Sequence, residues 1–190
     1  MNRAKKILKY GLLTYLVYIF IFSFLIFSFH PLSSNANNDM DAFSANHEND
    51  RAALIETPED AIAARLDLIE NATSHIDLAY YKWADGKVSD LMLGSVLEAA
   101  DRGVEVRIIL DGIIQLGNVG SQVEQVFLGF ASHPNIDLKV YEPFNPLTPI
   151  AWNNRMHDKM IIVDNVFGLL GGRNIEDRFY LEDARELHRH

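Results

Sequence analysis

Hydrophobic and polar positions divide this chain into three stretches of different texture. From Tyr10 to Phe29, 20 consecutive positions carry no charge and are rich in Phe, Ile, Leu and Tyr. As a helix rising about 1.5 Å per residue they reach about 30 Å, the depth of a bilayer's hydrocarbon core. Nothing in the run is amphipathic, so a buried core helix is the poorer reading. Residues 31–50 are rich in Asn, Ser, Asp and Ala without periodicity, which reads as a flexible linker over 37–50. His47 falls here and His30 just before it, and both are read as incidental. From residue 51 onward, runs of period two alternate with runs of period three to four.

In that third stretch, Thr57-Pro58-Glu59-Asp60 is a helix start: a threonine cap, proline in the first turn and acids after it. Ile62, Leu66 and Ile69 mark the apolar face of a helix ending near Asn71. His75 to Tyr81 reads as a strand. Val88 to Arg102 reads as a helix with Leu91, Val96, Leu97 and Ala100 inward, stopped by Gly103. Strands are expected over Val104 to Leu110 and Ile136 to Tyr141, with a helix over Gln122 to Phe130 between them. Pro143 to Asn154 holds three prolines with Phe144 and Trp152. It reads as a loop, either lining a pocket or contacting an acyl chain, or serving only as a stiff connection. Met160 to Val163 and Val166 to Leu170 read as a strand and its hairpin partner, and Glu176 to Glu186 as the start of a helix. Strands alternating with helices imply an α/β layer fold with right-handed crossovers.

Charge and composition narrow the picture. With no cysteine there is neither a disulfide nor a thiolate metal site. Four of the 17 basic residues (Arg3, Lys5, Lys6, Lys9) precede residue 37 and none of the 26 acidic ones does, so the remainder carries a net charge of −13. Such a surface matches a polyanion poorly, and nucleic acid is not the expected partner. The basic flank before the apolar run predicts a cytoplasmic amino end and an exported remainder. Residues 1–36 are therefore read as a signal anchor, or as a signal peptide cut near Ser34-Asn35-Ala36 that would release a secreted domain. The folded domain is expected over 51–190, in the cell envelope or periplasm.

The chemistry concentrates between Met156 and Asn174. His157, Lys159 and Asp164 stand in the spacing HxKxxxxD, followed by Gly171-Gly172-Arg173-Asn174. Alternation along a strand turns His157 and Lys159 to one face, with Asp164 at the strand's far end. Imidazole is a nucleophile or proton carrier near neutral pH, and an ammonium beside it binds an anion. Asn174 adds a neutral donor, and the Gly171-Gly172 pair lets backbone come close to whatever His157 faces. One nucleophile and two donors suit a phosphoryl group. Tyr80, Tyr81 and Trp83 end the first strand, either at the same mouth or packed in the core. His75, His133, His188 and His190 lack a companion lysine and are read as structural or surface. The His157-Asp158 pair offers no zinc-like spacing, and no metal or cofactor is expected.

These residues resemble the signature of the phospholipase D superfamily, nearest to its bacterial cardiolipin synthase-like branch. The likeness extends upstream through Ile76-Asp77-Leu78-Ala79-Tyr80-Tyr81-Lys82-Trp83 and from Leu97 to Asp111, and so covers about Glu56 to Tyr180. It implies a mixed sheet with flanking helices and a metal-free phosphodiesterase or phosphatidyltransferase acting on phospholipid through a phosphohistidine. By carry-over, His157 is nucleophile or general acid, Lys159 and Asn174 hold the phosphate, and Asp164 holds the motif in place. Family enzymes pair two such motifs across a pseudo-two-fold axis, and only one occurs here. A second copy or a missing carboxyl-terminal half is therefore the expected partner, and the domain is expected to be incomplete at its carboxyl end. The acid that orients the histidine in the family has only Glu176 and Asp177 as nominal substitutes. A homodimeric nuclease and an inactive truncated remnant are the alternative readings.

Overall fold

The structure, a computed structural model, describes residues 3–29 and 51–182. The 37–50 linker, the Ser34–Ala36 cleavage site, His30, His47, His188 and His190 lie outside them. The chain divides into two compact units, residues 1–54 with 146–153 and residues 55–145 with 154–190.

The first unit is built on helix α1 (Arg3–Ile19), a π-helical turn (Phe20–Leu25) and α2 (Ile26–Phe29). Arg3–Leu25 is 23 residues of mean hydropathy 1.8 with no buried share, long and apolar enough to cross a membrane. Part of the proline-rich loop lies along it, and a 3-10 turn at Pro149–Asn153 replaces the featureless connection. Tyr15 and Tyr18 donate their hydroxyls to the carbonyls of Pro146 and Leu147, each at 2.9 Å. Ser23 donates to the Pro149 carbonyl at 2.8 Å and accepts from Asn153 Nδ2 at 2.7 Å through its own carbonyl.

The second unit is a mixed α/β layer. Its helices are α3 (Pro58–Glu70), α4 (Lys87–Asp101) and α5 (Gln122–Phe130). Its strands are β1 (His75–Tyr80), β2 (Glu105–Asp111), β3 (Ile136–Tyr141), β4 (Lys159–Val163) and β5 (Phe167–Leu170). The sheet order is β3-β2-β1-β4-β5. β1, β2 and β3 run parallel, joined by crossovers through α4 and α5; β4 is antiparallel to β1, and β5 to β4. Ile76, Leu78 and Tyr80 of β1, Val106, Ile108 and Leu110 of β2, and Ile161 and Val163 of β4 bury one sheet face against the helices. The register puts Lys159 opposite Tyr80 on this covered face.

Local chemistry sets the element ends. The Thr57 hydroxyl accepts from the Asp60 amide at 3.1 Å, a cap worth about 1 kcal/mol. Asp177 accepts from the Lys87 and Val88 amides and so caps α4. A Cβ on Gly86 would stand 2.6 Å from that carboxylate, so only glycine fits there. Asp164 and Asn165 both have positive φ, 54° and 57°, and the Val166 amide donates to the Val163 carbonyl at 3.0 Å, so these two residues turn the three-residue β4–β5 connection.

The facing of α4 differs from the sequence reading. Val96 and Ala100 are buried, but Leu91 is 55% and Leu97 39% exposed. The inward phase runs through Val88, Ser89, Met92, Leu93, Val96, Ala99 and Ala100. Ser89 is buried because its hydroxyl accepts from the Trp83 indole at 2.8 Å. The expected Glu176–Glu186 helix begins instead as a 3-10 turn at Asp177–Phe179, and its later part lies outside the described residues.

Candidate active site

The carboxyl ends of parallel strands β1 and β2 meet the start of β4, a position where open α/β sheets bind ligands. Residues 154–158 reach β4 without regular structure. The Tyr81 amide donates to the Asp158 carbonyl at 3.0 Å, continuing the β1–β4 pairing past its last ladder residue. The Ile175 amide donates to the Lys82 carbonyl at 3.2 Å, so the Asn174 segment adjoins the same extension of β1.

His157 is exposed, and its imidazole lies against the Tyr81 ring with centroids 4.5 Å apart. Lys159 is only 3% exposed. Its Nζ donates to the His157 carbonyl at 2.5 Å and lies 5.0 Å from the Tyr81 ring centroid. Loss of water holds the Lys159 ammonium below its ordinary pKa, and the Asp158 carboxylate opposes that shift. A cation kept from water and unpaired with a carboxylate within the motif is suited to receive an anion. Asn174 is buried, and its Oδ1 has no hydrogen-bond partner among the described residues. A buried polar atom left so costs about 1–3 kcal/mol, and a half-turn of the amide would present Nδ2–H instead.

Asp164 stands at the other end of β4, about 20 Å from His157 at 3.3 Å per residue. Its carboxylate accepts five hydrogen bonds, from the amides of Thr73, Ser74 and His75 and the hydroxyls of Thr73 and Ser74, at 2.7–3.0 Å. These donors, the His75 amide first, hold it far below the usual carboxylate range.

Of the first-strand aromatics, Tyr80 and Trp83 are fully buried in the core. Tyr81 alone reaches the histidine. Neither nominal acid bonds His157 among the described residues: Asp177 is occupied at the α4 cap, and Glu176 pairs with Lys82 and Arg178, each at 3.1 Å. The glycine pair makes no close approach either. A Cβ on Gly171 would meet Arg65 Nη2 at an ordinary 3.6 Å, and one on Gly172 would meet nothing within 4 Å. The Gly171 amide instead donates to the Lys159 carbonyl at 3.1 Å, closing the hairpin behind the lysine.

Two residues of this region escaped the sequence reading. Asp111, the last residue of β2, is wholly buried and bonded to the second of them, Arg155, and to the Met156 amide. Its signal was a carboxylate closing an apolar parallel strand immediately before Gly112. That glycine packs on Pro143, where a Cβ would come within 2.6 Å of backbone.

The cardiolipin synthase, PLD-like domain family matches residues 65–187. Cardiolipin synthase C of Escherichia coli strain K12 is 36% identical over 135 residues, covering 66% of this chain and 28% of that protein. Cardiolipin synthase A of Pectobacterium carotovorum strain PC1 is 31% identical over 134 residues, covering 69% of this chain and 27% of that protein. Among solved structures, the phospholipase D family member Nuc from Salmonella typhimurium aligns at 25% identity and a TM-score of 0.47, over 63% of this chain and 68% of its own. The chain thus spans under a third of the length of the curated relatives it matches.

Proposed function

Because the chain belongs to the cardiolipin synthase, PLD-like domain family, we propose that its second unit supplies one half of a phosphodiesterase or phosphatidyltransferase centre for phospholipids. The observation that carries this reading is the exposed His157 imidazole on Tyr81, beside the buried, desolvated Lys159.

In the proposed reaction one histidine attacks phosphorus, and a P–N bond forms as the P–O bond to the leaving alcohol breaks. A second histidine, on the opposite side, gives that alcohol its proton. Water or another alcohol, deprotonated by the second histidine, then displaces the first and restores it. Lys159 and the Asn174 amide take the non-bridging oxygens, which gather charge as the bonds exchange. Asp164 acts at a distance, by anchoring the far end of β4 to the loop before β1. In-line displacement requires two histidines, and this chain has one in the HxKxxxxD setting. The second comes from another copy or another polypeptide half, and an isolated monomer is inactive.

The apolar Arg3–Leu25 helix and the basic residues before it support a membrane anchor with the catalytic unit exported. The net charge of −13 after residue 36 supports lipid over nucleic acid. The test uses full-length protein reconstituted with vesicles of 32P-labelled phosphatidylglycerol, across protein concentrations at which sedimentation reports its oligomeric state. Acid-labile protein-bound label should appear with the dimer, or on addition of a complementing half, and vanish in His157→Ala. An assembled protein that never takes label, or a strict monomer with full turnover, overturns the proposal.

A further inference from the structure

We infer that Asp111 is a positioning residue for His157, fixing the imidazole from the end of the neighbouring strand; its bearing on catalysis rests on the functional reading above. Asp111 is the last residue of β2 and has no exposed surface. A carboxylate there must be fully engaged, because burial removes the water that would otherwise solvate it. Oδ1 accepts from Arg155 Nη1 at 2.9 Å and from the Ile114 amide at 3.2 Å; Oδ2 accepts from the Met156 amide at 3.0 Å. Arg155 also donates to the Glu142 carbonyl at 3.2 Å, just beyond the end of β3.

The consequence for His157 is geometric. The residue before it is tied by its amide to the end of β2. The residue after it is tied by its carbonyl to the Tyr81 amide, just past the end of β1. A single residue between two fixed points, with its own carbonyl held by Lys159, has little freedom in where its side chain leaves the backbone. The Met156 tie is a side-chain bond, because residues 154–158 form no ladder. In-line attack on phosphorus tolerates misplacement poorly: about 1 Å can cost 10²-fold. Asp111 therefore does for the approach to the histidine what Asp164 does for the far end of β4.

Asp111→Asn separates this role from mere packing. Three donors sit on two oxygens, and the amide keeps one acceptor while adding a donor of its own. Keeping its oxygen on Arg155 and Ile114, the amide turns NH2 toward the Met156 amide and breaks that tie. Full-length protein in detergent micelles, labelled with 15N-histidine, reads the result, with His157→Gln identifying the His157 signals. In Asp111→Asn the His157 signals should shift and broaden while those of His75 and His133 stay. Inorganic phosphate titrated into the parent should move His157, and the variant should need at least tenfold more.

A parent whose His157 ignores phosphate sinks the functional reading, while the variant's spectrum still decides the positioning. His157 signals unchanged in Asp111→Asn overturn the inference. If all histidine signals collapse, the uncharged pair Asp111→Asn with Arg155→Gln takes its place under the same criterion. Hydrogen exchange on the parent is a further decision: a rapidly exchanging Met156 amide overturns the inference without any variant.

Discussion

The two ends of β4 carry the motif's charged residues under opposite conditions. At the Asp164 end, five donors from Thr73, Ser74 and His75 saturate one carboxylate. At the Lys159 end, an ammonium is kept from water with one carbonyl and a ring face as neighbours, and the Asn174 amide oxygen is buried without a partner among the described residues. A saturated group stabilises the fold and can bind nothing further. An undersatisfied one costs stability and retains its capacity for a ligand. Four intervening residues thus separate structure from chemistry within a single motif.

The sharpest attempt to break this contrast is His157→Ala in the assembled protein. Vesicle turnover should fall by roughly 10⁴-fold or more, since nucleophilic and acid catalysis are both disturbed. The thermal midpoint should hardly move, because the side chain is exposed. Lys159→Met should lower turnover by about 10³-fold without lowering stability. Its sign follows from the depressed lysine pKa: the unfolded chain holds this proton to higher pH than the folded one. The parent should therefore gain stability as pH rises toward the ordinary lysine value of about 10.4, and the Met variant should lack that gain. A Lys159→Met protein that melts well below the parent at neutral pH would contradict the account of this end as the undersatisfied one.

Asn174→Ala should cost about 10²-fold in turnover, the value of one neutral donor. It should leave stability level or slightly raised, because an unsatisfied buried amide is removed. Asp164→Asn should reverse the pattern, with turnover within about tenfold of the parent at a temperature where both are folded, and a clearly lower midpoint. A depressed carboxylate stabilises fully above its unfolded value of about 4 and loses that contribution as pH falls toward the folded value. Parent and Asp164→Asn melting curves should accordingly converge in acid. A gap that persists or widens below pH 4 would remove the carboxylate as its cause.

Most of the scaffold was legible because its signals are local. Thr57 caps, Ile136 to Tyr141 and Gln122 to Phe130 have the observed limits, and Asp164-Asn165 turn the hairpin. What failed depends on neighbours. Leu91 and Leu97 look like core residues by hydropathy, but small residues such as Ser89, Ala99 and Ala100 occupy the packed side of α4. Hydropathy cannot anticipate that a serine will be buried by an indole six residues earlier. Strand parity already set Asp164 at the far end of β4 from His157 and Lys159, but the spacing gave no hint of the donors from Thr73, Ser74 and His75 that hold it there. Asp111 and Arg155 lie 44 residues apart, and only the sheet brings the guanidinium onto the carboxylate.

The place of β4 in the sheet also has a meaning in time. β1 finds its parallel neighbour soon after it is made, at Glu105 to Leu110, but its other edge pairs with residues 159–163, about 80 residues downstream. At roughly 5–20 residues per second, synthesis leaves that edge open for several seconds. An open strand edge in this interval is a template for pairing with other chains. The strand that closes it begins two residues after His157, so the nascent chain seals its central strand and acquires its reactive histidine in the same step.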